Sequence, residues 1–298
     1  MDSLTLDQIR IFLAIADEGS FSKAAKRLNR AQSAVTYGMQ KLEAQFDLPL
    51  FDRGAYRPKL TEAGHALLIR ARRIAEEVNT FRDTAKSLAS GLEAELVIVL
   101  DSMFPMPAVV EALRAFTEKF PTVPPRIFVR PLGAAIELIL DGTAMIGLVP
   151  LFFSDIPSLK RFPLMAIELV PVVAPNHPLA AIEGPIETHE LHKHVQLVLT
   201  DSSAITAGRD YGVLSGQTWR LADLSAKQSM LLVGLGWGNM PAHLIEDDLA
   251  RGRLKIIRPA EFDPATAKLM MSGAYLADRR LGPAGRWMIE HLAAGSGR

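Results

Sequence analysis

The 298-residue sequence contains no cysteine, which excludes disulfides, zinc–thiolate sites and thiol nucleophiles. Charge of neither sign is in excess, with 33 Lys and Arg against 33 Asp and Glu, so a uniformly basic nucleic-acid coat is excluded. The first residues lack the pattern of a signal peptide, and the most apolar stretch, 230–241, is shorter than the ~20 residues of a membrane span. These absences predict a cytoplasmic protein that does not contact a membrane.

The residues that are present are distributed unevenly along the chain. Hydrophobic residues make up 49%, and the length suits two or three domains. Residues 1–92 carry 14 Lys and Arg against 11 Asp and Glu, whereas residues 93–298 carry 19 against 22. The modest positive charge therefore lies at the N-terminal end, where a polyanion would dock.

Apolar residues at helical spacing predict three short helices within the first 46 residues. The apolar positions are Ile9, Phe12, Leu13 and Ala16; then Ala24, Ala25 and Leu28; then Val35, Met39, Leu42 and Phe46. Gly19 ends the first helix, and Ser20 and Ser22 can cap the second. The short turn before the third helix is typical of a helix-turn-helix, whose second helix enters the DNA major groove.

The outward face of the third helix carries polar side chains that can bind base edges or phosphates. These are Gln32, Ser33, Thr36, Tyr37, Gln40 and Lys41. A hairpin-like wing follows, with Arg53, Arg57 and Lys59 suited to phosphate contact. Ser22 and Arg30 complete the predicted DNA-binding set. Periodicity alone leaves open an ordinary helical domain with a solvated polar face.

The order of these features closely resembles the winged helix-turn-helix of LysR-type transcriptional regulators. The matching motifs are Leu4-x4-Ile9-x2-Phe12, Gly19-Ser20-Phe21-Ser22-x-Ala24-Ala25-x2-Leu28, Gln32-Ser33-Ala34-Val35-Thr36, Leu42-Glu43, Pro49-Leu50-Phe51-Asp52-Arg53 and Leu60-Thr61-x-Ala63-Gly64. The chain departs from the family at Ala31, which lacks a capping hydroxyl, at Ser33, and at Gly38, where we expect the backbone to approach DNA closely. These departures concern the operator sequence, while the resemblance implies DNA binding.

A heptad repeat joins the two halves of the chain. Thr61 can cap a helix whose apolar residues follow at alternating steps of four and three: Leu67, Ala71, Ile74, Val78, Phe81, Ala85 and Leu88. This spacing predicts a dimerisation seam, and the alternative is an amphipathic helix packed on its own chain. The resemblance favours the seam, because the matching helix of the family links the domains and forms the dimer.

The remaining residues alternate between strand and helix patterns. Strands are predicted at 95–100, 126–130, 145–149, 164–174, 195–199, 254–257 and 268–275, with helices at 107–120, 134–140, 226–235 and 283–293. Strands that alternate with helices indicate a parallel sheet, where ligands lie at the carboxyl ends of the strands. The predicted effector contacts are Ser102, Met103, Phe104, Pro131, Phe152, Thr200, Asp201, Ser202, Ser203 and Lys227. Helix caps, core aromatics and a solvated lysine are the ordinary alternatives.

This half resembles the effector domain of the same family, which is similar to periplasmic binding proteins. The resemblance rests on the layout and on His177-Pro178-Leu179-Ala180, on Gly234-Leu235-Gly236 leading to Pro241, and on Leu249-x2-Gly252-x-Leu254. The expected fold is an α/β multidomain protein: a winged helix-turn-helix domain (1–61), a linker helix (62–90) and a two-lobed effector domain (93–298). One lobe comprises about 93–165 and 268–298, and the other comprises about 166–267.

The expected function is a ligand-responsive regulator that binds inverted repeats in promoters and is not an enzyme. Its expected partners are double-stranded DNA, a small-molecule effector, further copies in a homodimer or homotetramer, and RNA polymerase, and no cofactor is predicted. A solute-binding protein or an enzyme is one alternative, and a DNA-binding dimer whose cleft serves only oligomerisation is another.

Two local patterns suggest other chemistry. His189, His192 and His194 suggest a metal site, but no acidic or cysteine set completes it, so solvated histidines are favoured. Gly234-x-Gly236-x-Gly238 suggests a dinucleotide loop, but it ends a helix instead of opening one. Trp219 and Trp237 are assigned equally to the cleft walls or to the core.

Overall fold

A computed structural model of the chain describes residues 4–52, 58–151, 156–209, 211–262 and 267–295. The predicted site residues Arg53, Arg57 and Phe152 lie outside these ranges. The chain divides into two compact units, Met1–Ser87 and Leu88–Arg298. Among the described residues, no helix is both long enough and apolar enough to cross a membrane.

The N-terminal unit is built from helices and one small hairpin. Its elements are α1 (Leu6–Glu18), α2 (Phe21–Arg27), α3 (Gln32–Phe46), β1 (Phe51–Asp52), β2 (Lys59–Leu60) and the start of α4 (Glu62–Ala89). Thr5 and Gln8 form a capping box at α1, and Gly19 ends that helix in the left-handed conformation. The Ser20 hydroxyl caps α2, whereas Ala31 leaves α3 without a side-chain cap. The predicted helices therefore form where their local signals place them.

The three helices enclose a small apolar core that includes Phe12, Val35 and Met39. A Cβ at Gly38 would lie 2.5 Å from Cδ1 of Ile11, so this glycine permits close packing of α1 on α3. The expectation that Gly38 lets the backbone approach DNA is thus replaced by a packing role. The prediction for Phe46 was also wrong, because this side chain, in the last turn of α3, lies beyond the core and is 44% exposed.

The C-terminal unit alternates strands and helices. After the end of α4 come β3 (Leu96–Asp101), α5 (Met106–Lys119), β4 (Pro125–Arg130), α6 (Gly133–Leu140), β5 (Ile146–Pro150), β6 (Leu159–Val173), α7 (Thr188–Leu191), β7 (Gln196–Leu199), β8 (Thr218–Leu221), α8 (Leu224–Leu232), β9 (Gly238–Pro241), α9 (Glu246–Ala250), β10 (Lys255–Ile256), β11 (Lys268–Leu276) and α10 (Pro283–Gly295). Short 3-10 turns occupy 178–181 and 242–244.

One mixed sheet of seven strands organises this unit. The order is β10-β6-β11-β5-β3-β4, and β9 also pairs with β6. β3 lies parallel to β4 and to β5, as the alternation of strands and helices predicts. The 15-residue β6 pairs antiparallel with β11 along its first part and with β9 and β10 along its last part. β6 therefore connects the two parts of the sheet that the sequence assigns to two lobes.

A second sheet contains only the parallel pair β7 and β8. The sequence analysis did not predict β8, whose four residues contain the exposed Trp219. Trp237 is instead fully buried in a separate apolar cluster with Val173 and Leu179. Trp237 is therefore a core residue, and Trp219 lies on the surface.

Candidate functional site

The exposed face of α3 carries most of the residues predicted to contact DNA. Gln32, Ser33, Gln40 and Lys41 are exposed, and Tyr37 is 68% exposed. Val35, Met39 and Leu42 occupy the opposite, buried face of the same helix. A rigid helix thus presents a row of donors and acceptors to the solvent, which is the arrangement that direct readout of base edges requires.

The predicted DNA-contacting residues differ in how free their polar groups are. Thr36 is half-buried, and its hydroxyl donates to the Gln32 carbonyl at 2.9 Å. The exposed Arg30 forms an ion pair with Asp7 at 2.7 Å, and this hydrogen bond raises the pKa of the guanidinium. Ser22 and Lys59 are exposed. On α3 the exposed residues best placed to contact DNA directly are thus Gln32, Ser33, Tyr37, Gln40 and Lys41.

Glu43 attaches α3 to the segment that leads into the wing. Its side chain is only 7% exposed, and Oε1 accepts hydrogen bonds from the backbone N–H groups of Leu50 (2.7 Å) and Phe51 (3.1 Å). Buried backbone N–H groups need such partners, so Glu43 fixes where β1 begins relative to α3. The sequence analysis used Glu43 only as part of a family motif.

Most of the predicted seam lies on the surface of α4. Phe81 is 76% exposed, and Leu67, Ile74, Ala85 and Leu88 are also exposed, while Val78 is half-buried. Ala71 is the exception, since it is buried in the core of the N-terminal unit. Thr61 caps the helix, with its hydroxyl accepting from Gly64 N at 3.0 Å. A 28-residue helix thus carries an apolar stripe that this chain leaves largely uncovered.

A buried carboxylate lies at the carboxyl end of β3. Asp101 is 1% exposed, and its two oxygens accept hydrogen bonds from Met103 N (2.8 Å) and Leu132 N (2.7 Å). Burial raises the pKa of Asp101 to about 6, with a smaller contribution from the charge of Asp201, against the lowering effect of the two hydrogen bonds. The sequence analysis missed Asp101, although an acid that directly follows an apolar strand is a usable signal.

The loop that follows β7 is tied to the N-terminus of α6. Oδ2 of Asp201 accepts from Ala134 N at 2.6 Å, and Oδ1 accepts from the Thr206 hydroxyl. Oε1 of Glu137 accepts from Ala204 N at 3.0 Å. Gly133 is needed there, because a Cβ would collide with the Ser203 hydroxyl oxygen. The chain's own carboxylate therefore fills the anion-attracting end of α6.

A large cavity of this unit lies beside that loop, and residues 200–203 do not line it. Its volume is about 800 Å³, and aliphatic side chains from β6, β7, α8 and β11 form most of its walls. Polar groups come from Gln196, Tyr211, Lys227, Asn239, Glu261 and Lys268. Gln196 is already committed, because its amide bonds to Gly212 O and to Leu214 N and Ser215 N. The buried Gln196 thus fixes the 212–215 segment beside the cavity.

Two of the predicted effector residues, Met103 and Lys227, line this cavity. Phe104 is buried in the main core, beside a separate pocket of about 200 Å³. Ser102, Pro131 and the 200–203 segment also lie outside the walls of the large cavity. The Asp201 carboxylate is engaged by Ala134 N of α6, and the Ser203 hydroxyl is engaged by the Thr206 hydroxyl within the loop.

The alternative in which Lys227 is a solvated cation, which was the favoured one, is wrong, because the side chain is buried. The side chain is 4% exposed, and Nζ donates to the carbonyl of Asn239 at 2.7 Å. Burial lowers the pKa of Lys227 to about 8. Leu224, Lys227 and Leu231 share the buried face of α8 at steps of three and four. That spacing is a signal from which the burial could have been predicted.

The competing motifs have structural explanations. A Cβ at Gly236 or Gly238 would lie within 2.6 Å of the carbonyls of Val195 or Leu197, so these glycines let the chain pack against β7. Gly234 follows α8, consistent with the end of a helix. His189 pairs with Glu190, and no cluster of three or more His, Asp or Glu residues in the described ranges could hold a metal ion.

A helix-turn-helix with a wing, followed by an α/β ligand-binding unit, defines the class of DNA-binding transcriptional regulators. Residues 6–65 match the family model described as a bacterial regulatory helix-turn-helix protein of the lysR family. Residues 89–296 match the model of the LysR substrate binding domain. The chain therefore belongs to the LysR family of transcriptional regulators, as the sequence motifs indicated.

Relatives along the whole length are also named as transcriptional regulators, in agreement with the expectation of a regulator and not an enzyme. The chain is 32% identical over 300 residues to the probable HTH-type transcriptional regulator YhaJ of Escherichia coli (strain K12), covering 97% of this chain and 96% of that one. It is 26% identical to the HTH-type transcriptional regulator AceR of Acinetobacter baumannii, covering 97% of each chain.

Two solved structures support the fold. A Corynebacterium glutamicum OxyR C206 mutant aligns with a TM-score of 0.55 at 22% identity, covering 98% of this chain and 92% of that one. The effector binding domain of QuiR in complex with shikimate aligns with a TM-score of 0.55 at 17% identity, covering 68% of this chain and 97% of that one. The predicted multidomain architecture is thus confirmed at the level of the fold.

Proposed function

We propose that this regulator binds inverted repeats in promoters as a dimer or tetramer, and that a small molecule in the cavity of the C-terminal unit controls this binding. The polar face of α3 is the observation that carries the proposal. Gln32, Gln40 and Lys41 stand exposed on a helix whose opposite face is locked into a core. Gln can bind adenine with both amide groups, and Lys can contact guanine or phosphate.

Further contacts with DNA come from the predicted residues around α3. Ser33, Thr36 and Tyr37 extend the reading face, and Ser22 and Arg30 flank it. Lys59, together with Arg53 and Arg57, supplies phosphate contacts from the wing. Phosphate contacts fix the register without reading the sequence, so specificity rests on α3.

The dimer forms through α4. Its exposed stripe of Leu67, Ile74, Phe81 and Leu88 needs a cover, and a second copy of the same helix supplies one with the same heptad spacing. The helix is ~42 Å long at about 1.5 Å per residue, which gives room for three heptads of contact. Two recognition helices then read the two half-sites of an inverted repeat.

Dimers pair into tetramers through the C-terminal units. β4 is the last strand of the seven-stranded sheet, and Ile127 and Val129 on it are exposed. An apolar edge strand is a surface that proteins normally cover. The assembled regulator acts in the cytoplasm and contacts RNA polymerase at the promoter.

The effector occupies the large cavity, where Met103 and Lys227 contact it. The predicted effector residues that do not line the cavity act indirectly, through the 200–203 loop. The Asp201 carboxylate links this loop to α6 by accepting a hydrogen bond from Ala134 N. A ligand can change DNA binding only if it binds one conformation of the protein more tightly than another. The hydrogen bond between Asp201 and α6 is the contact that would differ between the two conformations.

Genome-wide capture of DNA fragments by the purified full-length protein tests the proposal. Wild type is expected to enrich a short interrupted inverted repeat beside a few promoters. The double variant Gln32→Ala/Gln40→Ala is expected to lose this enrichment, whereas Gln217→Ala, an exposed glutamine of the C-terminal unit, retains it. Enrichment of the same repeat by the double variant would exclude direct readout by α3.

A further inference from the structure

Lys227 is a buried cation that lines the cavity, and it has no counter-ion among the described residues. Its Nζ donates to the Asn239 carbonyl, and no other hydrogen bond or ion pair is formed by this side chain with the described residues. A neutral carbonyl uses one of the three N–H donors and leaves the charge uncompensated. Burial of a charge without a partner is costly, so such groups are retained where a ligand completes the pair.

The other charged groups of the cavity lie at its mouth. Glu261 and Lys268 are exposed, and the Glu261 carboxylate accepts the Thr188 hydroxyl at 2.7 Å. Tyr211 is also exposed. The deep part of the cavity is formed by aliphatic side chains such as Leu197, Val198 and Leu224, which are buried. Among the described lining residues, Lys227 is therefore the buried one that carries a charge.

Asn239 also lines the cavity, and its side-chain oxygen is an acceptor that can take a donor group of the ligand but not its charged oxygen. The side-chain oxygen of Asn239, the residue whose carbonyl holds Nζ, is buried without a hydrogen-bond partner among the described residues. The alternative place for an anion, the N-terminus of α6, already holds the Asp201 carboxylate. A negatively charged ligand thus has one unoccupied cationic partner on the floor of the cavity.

We propose that the effector is a small organic anion with an apolar body, whose charged oxygen pairs with Lys227 Nζ while its body lies against the aliphatic walls. The volume of about 800 Å³ accommodates a molecule of drug size. This inference rests on the proposed role of the cavity as the effector site and names the chemical class that the site selects.

Calorimetric titration of the full-length chain with matched pairs of probes tests the charge requirement. Each pair differs only in charge: 2-naphthoate and 2-naphthamide, benzoate and benzamide, decanoate and decanamide. For the pair whose body fits the walls, wild type is expected to bind the carboxylate about tenfold more tightly than the amide, as a charge-assisted hydrogen bond provides.

Two variants at Lys227, with a control at another lysine, test whether Lys227 causes the preference for the carboxylate. Lys227→Met is expected to bind carboxylate and amide equally, and Lys227→Gln serves as a second variant that keeps a hydrogen-bond donor. Lys160→Met removes an exposed lysine of the same unit that does not line the cavity, and it is expected to retain the preference of wild type. Circular dichroism of each variant verifies that it is folded.

Equal affinities for all three pairs, no binding of any probe, or a carboxylate preference that survives in Lys227→Met would each overturn the proposal. These outcomes concern the class of ligand only. The capture experiment above reads DNA recognition separately, so failure of the anion class and failure of the regulator function give different patterns.

Discussion

Glu43 in the N-terminal unit and Lys227 in the C-terminal unit are both buried charged side chains, but their partners differ. In the N-terminal unit, Glu43 is 7% exposed and accepts two backbone N–H groups. In the C-terminal unit, Lys227 is 4% exposed and has a single carbonyl as its partner. A buried charge with matched partners supports the fold, whereas one without a counter-ion lowers stability and prepares a binding site.

The surroundings of the binding residues differ in the same way. The reading face of α3 stays in water until DNA arrives, so it imposes no cost on the free protein. Lys227 is desolvated before any ligand binds. Preorganisation of this kind favours ligand affinity at the expense of the stability of the free state.

Removal of Glu43 is the largest expected loss of stability. Glu43→Ala leaves the N–H groups of Leu50 and Phe51 buried without their acceptor, which costs about 3 kcal/mol in the free energy of unfolding of the N-terminal unit. Glu43→Gln keeps an oxygen acceptor and is expected to lose less than half of that. Urea denaturation measures both variants, and equal stability of Glu43→Ala and wild type would show that these bonds are not needed.

A charged residue in the seam of α4 is expected to have the next largest effect, which is a loss of DNA affinity. Val78→Asp places a carboxylate between the two helices of the proposed dimer, so the chain becomes monomeric and binds its operator about a hundredfold more weakly. Thr80→Asp, on another face of the same helix, is the control and leaves both properties unchanged. Light scattering and fluorescence anisotropy measure them; a stable dimer of Val78→Asp would remove the seam from the interface.

Removal of Lys227 is expected to raise the stability of the protein, whereas removal of Glu43 lowers it. Lys227→Met replaces an unpaired buried charge with an apolar side chain of similar length and raises the stability of the ligand-free C-terminal unit by about 2 kcal/mol at pH 7. Lys268→Met, at an exposed position, is the control and changes stability by less than about 0.5 kcal/mol. Scanning calorimetry compares them, and a destabilised Lys227→Met would place this lysine among the structural residues.

The difference in stability between wild type and Lys227→Met is expected to depend on pH. The pKa of Lys227 is lowered from 10.5 to about 8, so between these values the unfolded chain binds more protons than the folded chain. This group therefore makes wild type more stable as the pH rises from 8 towards 10.5. The advantage of Lys227→Met is expected to be complete below pH 8 and to shrink as the pH approaches 10.5, and a constant advantage would contradict the lowered pKa.

A single substitution on the exposed face of α3 is expected to have the smallest effect, which is on DNA affinity. Gln40→Ala is expected to weaken operator binding about tenfold and to relax the preference at one base pair in each half-site. The stability of the protein should not change, because Gln40 is exposed. Competition with operators that vary at each position measures the preference, and a uniform loss at all positions would assign Gln40 to phosphate contact.

The N-terminal unit was more predictable from the sequence than the cavity. Its helices begin and end at local signals such as Ser20 and Gly19, and its buried faces follow helical spacing. The errors at Gly38 and Phe46 concern packing between helices, which local spacing does not contain.

The cavity depends on contacts between distant parts of the chain. Its walls combine Met103, Lys227 and Met270, which lie far apart in sequence, and β8 carries too weak an apolar pattern to be predicted. The 200–203 segment was predicted to lie at the carboxyl end of a strand over a helix N-terminus, and Asp201 meets the N-terminus of α6 there. A sequence cannot show that such a site is already filled by the chain itself.

The central claim is that a ligand held at Lys227 controls DNA binding by α3. The most direct test is the affinity of the full-length protein for its captured operator, measured by fluorescence anisotropy with and without a bacterial small-molecule extract. We expect a change of about tenfold in wild type and in Lys160→Met, and no change in Lys227→Met. An unchanged affinity in wild type, or an equal change in Lys227→Met, would contradict it.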